Sequence, residues 1–235
     1  MPTSSFLSRR VEPEALDSLN ADAPAAQRSR RDLRRLHVVM GTRRIVMRAI
    51  GRELDRRPLR VLELGAGDGS LALRLVARRG AHLPLPSWTL LDRQSLVSED
   101  TLDGLRSRGW APIVVTADVF EWLARPAEGR WDIIVANLFV HHFQGEELSR
   151  LLAAVAESTS LFFCCEPRRS ALALIASHLV GLAGARAVTR EDAVLSVHAG
   201  FRDQEMSAEW PDDAGWSLRE YSAGLFSHCF LARRA

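Results

Sequence analysis

The 235-residue chain is 47% hydrophobic and 26% charged with a formal net charge of +2. That balance excludes wholesale disorder and speaks against a protein built to bind nucleic acid. No apolar run approaches the roughly 20 residues of a spanning helix, and residues 1–8 lack the pattern of a cleaved leader, so a cytoplasmic protein is expected.

Residues 1–26 mix Ser, Pro, Ala and acidic residues without a sustained apolar period, which predicts a loose arm with at most a short helix over 12–19. From Asp32 to Leu54 apolar residues recur at helical spacing, predicting one helix, or two broken near Gly41, that leads to Pro58. All 31 basic residues counted as Lys or Arg are Arg, the usage expected of a GC-rich bacterial genome. Twelve lie between Arg28 and Arg60, a run read as a solvated helix face in a chain so near neutrality. Residues 1–57 are thus expected to form an arm and helical cap, and 58–235 one α/β domain.

Beyond Pro58 short apolar runs alternate with helical stretches, the pattern of a parallel sheet covered on both faces. Strands are predicted at 60–64, 88–91, 113–116, 131–135 and 161–165, and helices at 70–79, 98–108, 120–123, 146–158 and 170–182. Two more strands, 216–221 and 226–232, are separated by a turn at 222–224 short enough for an antiparallel pair. Cys164 and Cys165 fall in a buried strand far from Cys229, so neither a disulfide framework nor a metal-ligand spacing is visible, and no metal is expected.

Glu63-Leu64-Gly65-Ala66-Gly67-Asp68-Gly69-Ser70 carries the strongest chemical signal. A strand runs into a glycine-rich turn and then a helix, which brings backbone N–H groups to a ligand at the carboxyl edge of the sheet. A dinucleotide fingerprint would place its third glycine at position 70, where this chain has Ser70. Asp92 ends the second predicted strand and Asp118 follows the third, so acids stand at three successive strand ends. Either of the latter two alone would read as a turn residue or helix cap.

The acid-x-Gly-x-Gly-x-Gly run, with Asp92 and Asp118, resembles the class I S-adenosylmethionine-dependent methyltransferases. The resemblance covers about residues 60–165 and implies a Rossmann-like, mostly parallel seven-stranded sheet with an antiparallel last strand and helices on both faces. It implies S-adenosylmethionine as cofactor, held by Glu63, Gly65, Ala66, Gly67, Gly69, Asp92, Arg93, Asp118, Val119 and Asn137. Asp92 would take the ribose and Asp118 the adenine amino group. Enzymes that methylate base amines carry Asn or Asp, Pro-Pro and an aromatic residue after the fourth strand. Here the sequence is Asn137-Leu138-Phe139-Val140-His141-His142, more similar to small-molecule methyltransferases of the ubiquinone and menaquinone type.

The implied partner is therefore a small-molecule acceptor, phenolic, quinone-like or polyketide, methylated on oxygen or carbon. Candidate bases are His141 and His142, whose imidazoles titrate in a useful range, although a packing or capping role is the plainer reading of both. Candidate acceptor contacts are His37, Met40, Arg44, Phe139 and Arg168. The alternatives are an RNA or protein methyltransferase that docks through the arginine-rich segment, and a methyltransferase fold kept as a non-catalytic binding module.

Overall fold

Strand β1 (Arg60–Leu64) is buried along nearly its whole length, as expected of a central parallel strand covered on both faces. In the computed structural model of the chain, residues 8–20, 22–55, 59–77, 85–125, 129–179, 187–211 and 214–235 are described. Around β1 stand β2 (Ser87–Asp92), β3 (Ala111–Thr116), β4 (Ile133–Asn137), β5 (Leu161–Pro167), β6 (Trp216–Ala223) and β7 (Ser227–Arg234). Their order is β3-β2-β1-β4-β5-β7-β6. Pairing is parallel from β3 to β5, and β7 runs antiparallel to both β5 and β6. The order reverses between β1 and β4, which opens a crevice at the carboxyl ends of the strands.

Alternation of side chains along each strand divides the core in two. Val61, Trp88, Ile133, Phe163 and Cys165 face a layer that includes α3 (Thr42–Leu54), α4 (Ser70–Leu75) and α5 (Glu99–Arg106). Leu62, Leu91, Ile134, Phe162 and Cys164 face the opposite layer, with α6 (Val119–Leu123), α7 (Gly145–Ser158) and α10 (Glu205–Glu209). All three cysteines are buried and free of disulfides.

Several elements depart from the sequence reading. Among the described residues the arm contains the short helix expected over 12–19, and that helix is docked. Helix α1 (Ala15–Ser18) is capped by Asp192, whose carboxylate accepts Ala15 N–H at 2.8 Å and Leu16 N–H at 3.0 Å. Helix α2 (Pro24–Val39) begins eight residues before the expected start at Asp32, with Pro24 supplying a preset first-turn φ. Residues 187–199 form α9 (Ala187–Ala199), whose Thr189 bonds Ser29 of α2 at 3.0 Å.

Strand β4 sits two residues later than expected, because Trp131 makes only an isolated bridge to Thr159 while the ladder with β5 continues to Asn137. Helix α4 ends at Leu75, where Val76 turns extended and buries its side chain; the expected end at residue 79 lies outside the described residues. So do the expected domain boundary at 57/58 and the end of α8 (Ala171–Leu179), which was placed at 182.

Candidate active site

In the turn after β1, Gly65, Gly67 and Gly69 adopt φ of +66°, +55° and +71°. A Cβ on Gly65 would fall 2.4 Å from Phe139 Cδ2, so the turn and the segment after β4 touch. At Gly67 no atom lies within 4 Å of where a Cβ would stand. The backbone there fronts open space that a ligand can enter.

Asp92, at the end of β2, accepts Gly67 N–H at 2.8 Å through Oδ2 and Gln94 N–H at 2.9 Å through Oδ1. The acid thereby fixes the turn, and each oxygen retains a lone pair for a ligand hydroxyl. Asp118 caps α6 by accepting Phe120 N–H at 2.8 Å. Val119 beside it is buried and Arg93 exposed. Asn137 ends β4 with its Oδ1 buried and without a hydrogen-bond partner among the described residues. The next residue, Leu138, is held at φ +52°, an uncommon value for a branched side chain and a kind of strain that clusters at ligand sites.

Glu63 lies under the glycine turn, 2% exposed, with Trp88 Nε1–H donating to its Oε2 at 2.8 Å. Burial raises its carboxyl to about 8, opposed by the Trp88 bond and reinforced by Asp68 and Asp92. A neutral acid at pH 7 in this position braces β1 against β2.

The turn after β4 is organised by an acid from β5. Glu166, fully buried, accepts the backbone N–H groups of Phe139 at 3.1 Å, Val140 at 3.1 Å and His141 at 3.3 Å, and its Oε2 lies 2.8 Å from His141 Nδ1. On the other side of the same imidazole, Nε2 is 3.4 Å from Glu14 Oε1 of the arm, an oxygen that also accepts from Ser196 Oγ of α9. Burial opposes charge on His141, but the two flanking carboxylates raise it to about 9. Arg9 clamps the same turn, donating to His141 O at 2.9 Å and to Ala199 O at 2.7 Å while lying 4.1 Å from the Phe201 ring centroid.

From α2, Arg34 reaches Asp68 of the glycine turn at 2.6 Å and Arg30 reaches Gln94 at 2.7 Å. The cap is thus tied to the edge of the crevice. The chain is similar in fold to two solved structures and spans most of each. One is the magnesium protoporphyrin IX methyltransferase of Synechocystis PCC 6803 with bound SAH, at 17% identity and TM-score 0.56, with 87% of this chain and 86% of that one covered. The other is the plantazolicin methyltransferase with a monoazolic desmethylPZN analog and SAH, at 13% identity and TM-score 0.62, with 90% and 91% covered.

The fold is that of the methyltransferases. A further likeness, to the mitomycin 7-O-methyltransferase at 17% identity and TM-score 0.57, covers 94% of this chain but 60% of that one. No family model matches the sequence. No curated protein matches it significantly.

On the methyltransferase fold, Gly65, Ala66, Gly67, Gly69, Asp92, Asp118, Val119 and Asn137 fall at the carboxyl ends of β1 to β4, around one crevice. Phe139 lies on Gly65 and meets Phe143 edge-on, with ring centroids 5.2 Å apart. His141 is turned inward between Glu14 and Glu166, while His142 is half-buried beside it. Arg44 is exposed on α3 and Met40, half-buried, caps α2. The side chain of His37 lies outside the described ones. Arg168 is half-buried; its neighbour Arg169 is the buried arginine, ion-paired with Glu205 and donating to Gly200 O. Sequence reasoning gave no role at the site to Glu14, Arg30, Arg34 or Glu166. All four act across more than 20 residues of sequence, and no local spacing marks them.

Proposed function

We propose that the chain is an S-adenosylmethionine-dependent methyltransferase that transfers a methyl group to a small-molecule acceptor on oxygen or carbon. The observation that carries this reading is the open backbone at Gly67, tied to Asp92, with the unpartnered Asn137 Oδ1 across the same sheet edge. These groups fit the cofactor: lone pairs on Asp92 for a ribose diol, a second carboxylate at Asp118 for an adenine amine, and a buried amide oxygen that calls for a donor. Bound there, S-adenosylmethionine supplies a methyl group on a sulfonium that is already a good leaving group.

The remaining work is positioning. Glu166 fixes the backbone of residues 139–141, and this places the Phe139 ring over Gly65. Arg30 and Arg34 hold α2 at the crevice, and the arm closes against α9 through Asp192. Acceptors named for the structural neighbours are small molecules, in keeping with this reading. The arginine-rich face argues less for a nucleic acid, because Arg34 and Arg35 are paired with Asp68 and Asp32.

Calorimetric titration with S-adenosylmethionine and, separately, with NADH tests the proposal. Micromolar binding of the first alone, lost in Asp92→Ala, is the expected result. A folded protein that ignores S-adenosylmethionine overturns it.

A further inference from the structure

The arm and the turn after β4 bring together three groups that the sequence holds far apart. Glu14, His141 and His142 each offer one ligand atom, all within 4.8 Å of one another. Glu14 stands 127 residues before His141, which is why no ligand spacing is legible in the chain. We propose that Glu14, His141 and His142 form a site for a divalent transition-metal cation such as zinc.

Geometry supports it first. His141 Nε2 and Glu14 Oε1 are 3.4 Å apart, long for a hydrogen bond. Two ligands on one tetrahedral zinc, each at about 2.0–2.2 Å from the ion, stand roughly 3.4 Å from each other. The rings of His141 and His142 lie side by side, with centroids 4.3 Å apart, which keeps the second imidazole within reach of the same point.

The surroundings of the ligands support it independently. Glu166 faces Nδ1 of His141 at 2.8 Å, the carboxylate–histidine arrangement that orients a ligating imidazole, and a metal at Nε2 would displace the proton that the ring otherwise holds towards Glu14. Ser196 Oγ–H orients the Glu14 carboxylate in the same way. Two carboxylates flank this one imidazole and favour positive charge there, and a divalent ion would take the place of the ring proton. Two imidazoles and one carboxylate suit zinc and its first-row neighbours better than magnesium or calcium.

Three protein ligands leave a fourth position open, as in catalytic rather than structural zinc sites. On the methyl-transfer reading, which this role rests on, an ion held there would supply a fourth position for a hydroxyl oxygen of the acceptor and would lower that hydroxyl's pKa, its proton passing to water. Metal binding itself does not depend on that reading.

Untagged protein, stripped with a chelator and dialysed, is titrated with zinc chloride, and the same metal-free sample with S-adenosylmethionine. One equivalent of zinc is expected to bind tightly enough to survive dialysis. Glu14→Gln, a change in the arm outside the sheet core, and His142→Ala should each weaken binding at least about tenfold, with circular dichroism unchanged. Absence of zinc binding in the folded protein, or equal binding in wild type and both variants, overturns the site. S-adenosylmethionine binding without zinc removes this inference alone. Zinc binding without S-adenosylmethionine leaves the metal site standing and removes the methyl-transfer reading.

Discussion

Glu166 Oε2 lies 2.8 Å from His141 Nδ1 while the same carboxylate accepts three consecutive backbone N–H groups of the turn after β4. One buried acid on β5 therefore fixes both the shape of that turn and the orientation of its first imidazole. Glu166→Gln would present an amide NH2 to groups that are themselves donors. We expect a loss of about 2–4 kcal/mol in denaturant unfolding, the cost of leaving buried donors and charge uncompensated. A change under about 0.5 kcal/mol would show that the turn holds its shape without the acid.

Gly65 and Gly67 should separate stability from binding. An alanine at Gly65 meets Phe139 at 2.4 Å in addition to an unfavourable φ, so Gly65→Ala is expected to cost about 1–3 kcal/mol and to lower the melting temperature. Gly67→Ala meets nothing within 4 Å, so its stability cost is limited to about 1 kcal/mol of backbone strain. Its methyl group projects into the space assigned to the cofactor. Affinity for S-adenosylmethionine should fall at least about tenfold in Gly67→Ala, and titration of both variants checks the contrast.

Glu63 gives stability a sign with pH. Its carboxyl stands at about 8 in the folded protein, against 4.5 ordinarily. Between those values the folded state holds a proton that the unfolded state has released, so this residue's contribution is fully present below about 4.5 and is lost as pH rises to about 8. Glu63→Gln keeps an oxygen for Trp88 Nε1–H and removes the titration. Melting temperatures of the two proteins should diverge in favour of the variant from pH 5 to pH 8. Parallel profiles would contradict the assignment.

The Arg34–Asp68 pair spans 2.6 Å, with side chains 42% and 27% exposed. Such a pair is screened by water and contributes at most about 1 kcal/mol to folding. Its effect should be local. In Arg34→Ala the amides of the glycine turn are expected to exchange faster with solvent while the global unfolding free energy moves by less than about 1 kcal/mol. Unchanged exchange at residues 65–69 would show that α2 does not restrain the turn.

Sequence alone determined the sheet, the glycine turn and the acids at the strand ends. Each is written in local signals: apolar runs of strand length, glycines where the backbone must take positive φ, and a carboxylate one residue from a helix start. Asp118 was legible as a cap one residue before α6, and Asp92 as the acid that ends β2. Tertiary structure decided what lies on either side of them. The short helix of the arm was legible within 12–19, but its docking was not, because its cap, Asp192, comes from α9. Strand β4 was placed two residues early because Trp131 is as apolar as a strand residue, whereas the ladder with β5 fixes the true register. The meeting of Glu14, His141 and Glu166 could not be read from spacing at all. Buried charges find their partners across the fold, where the sheet and the docked arm bring them within a few ångströms and burial makes the encounter matter.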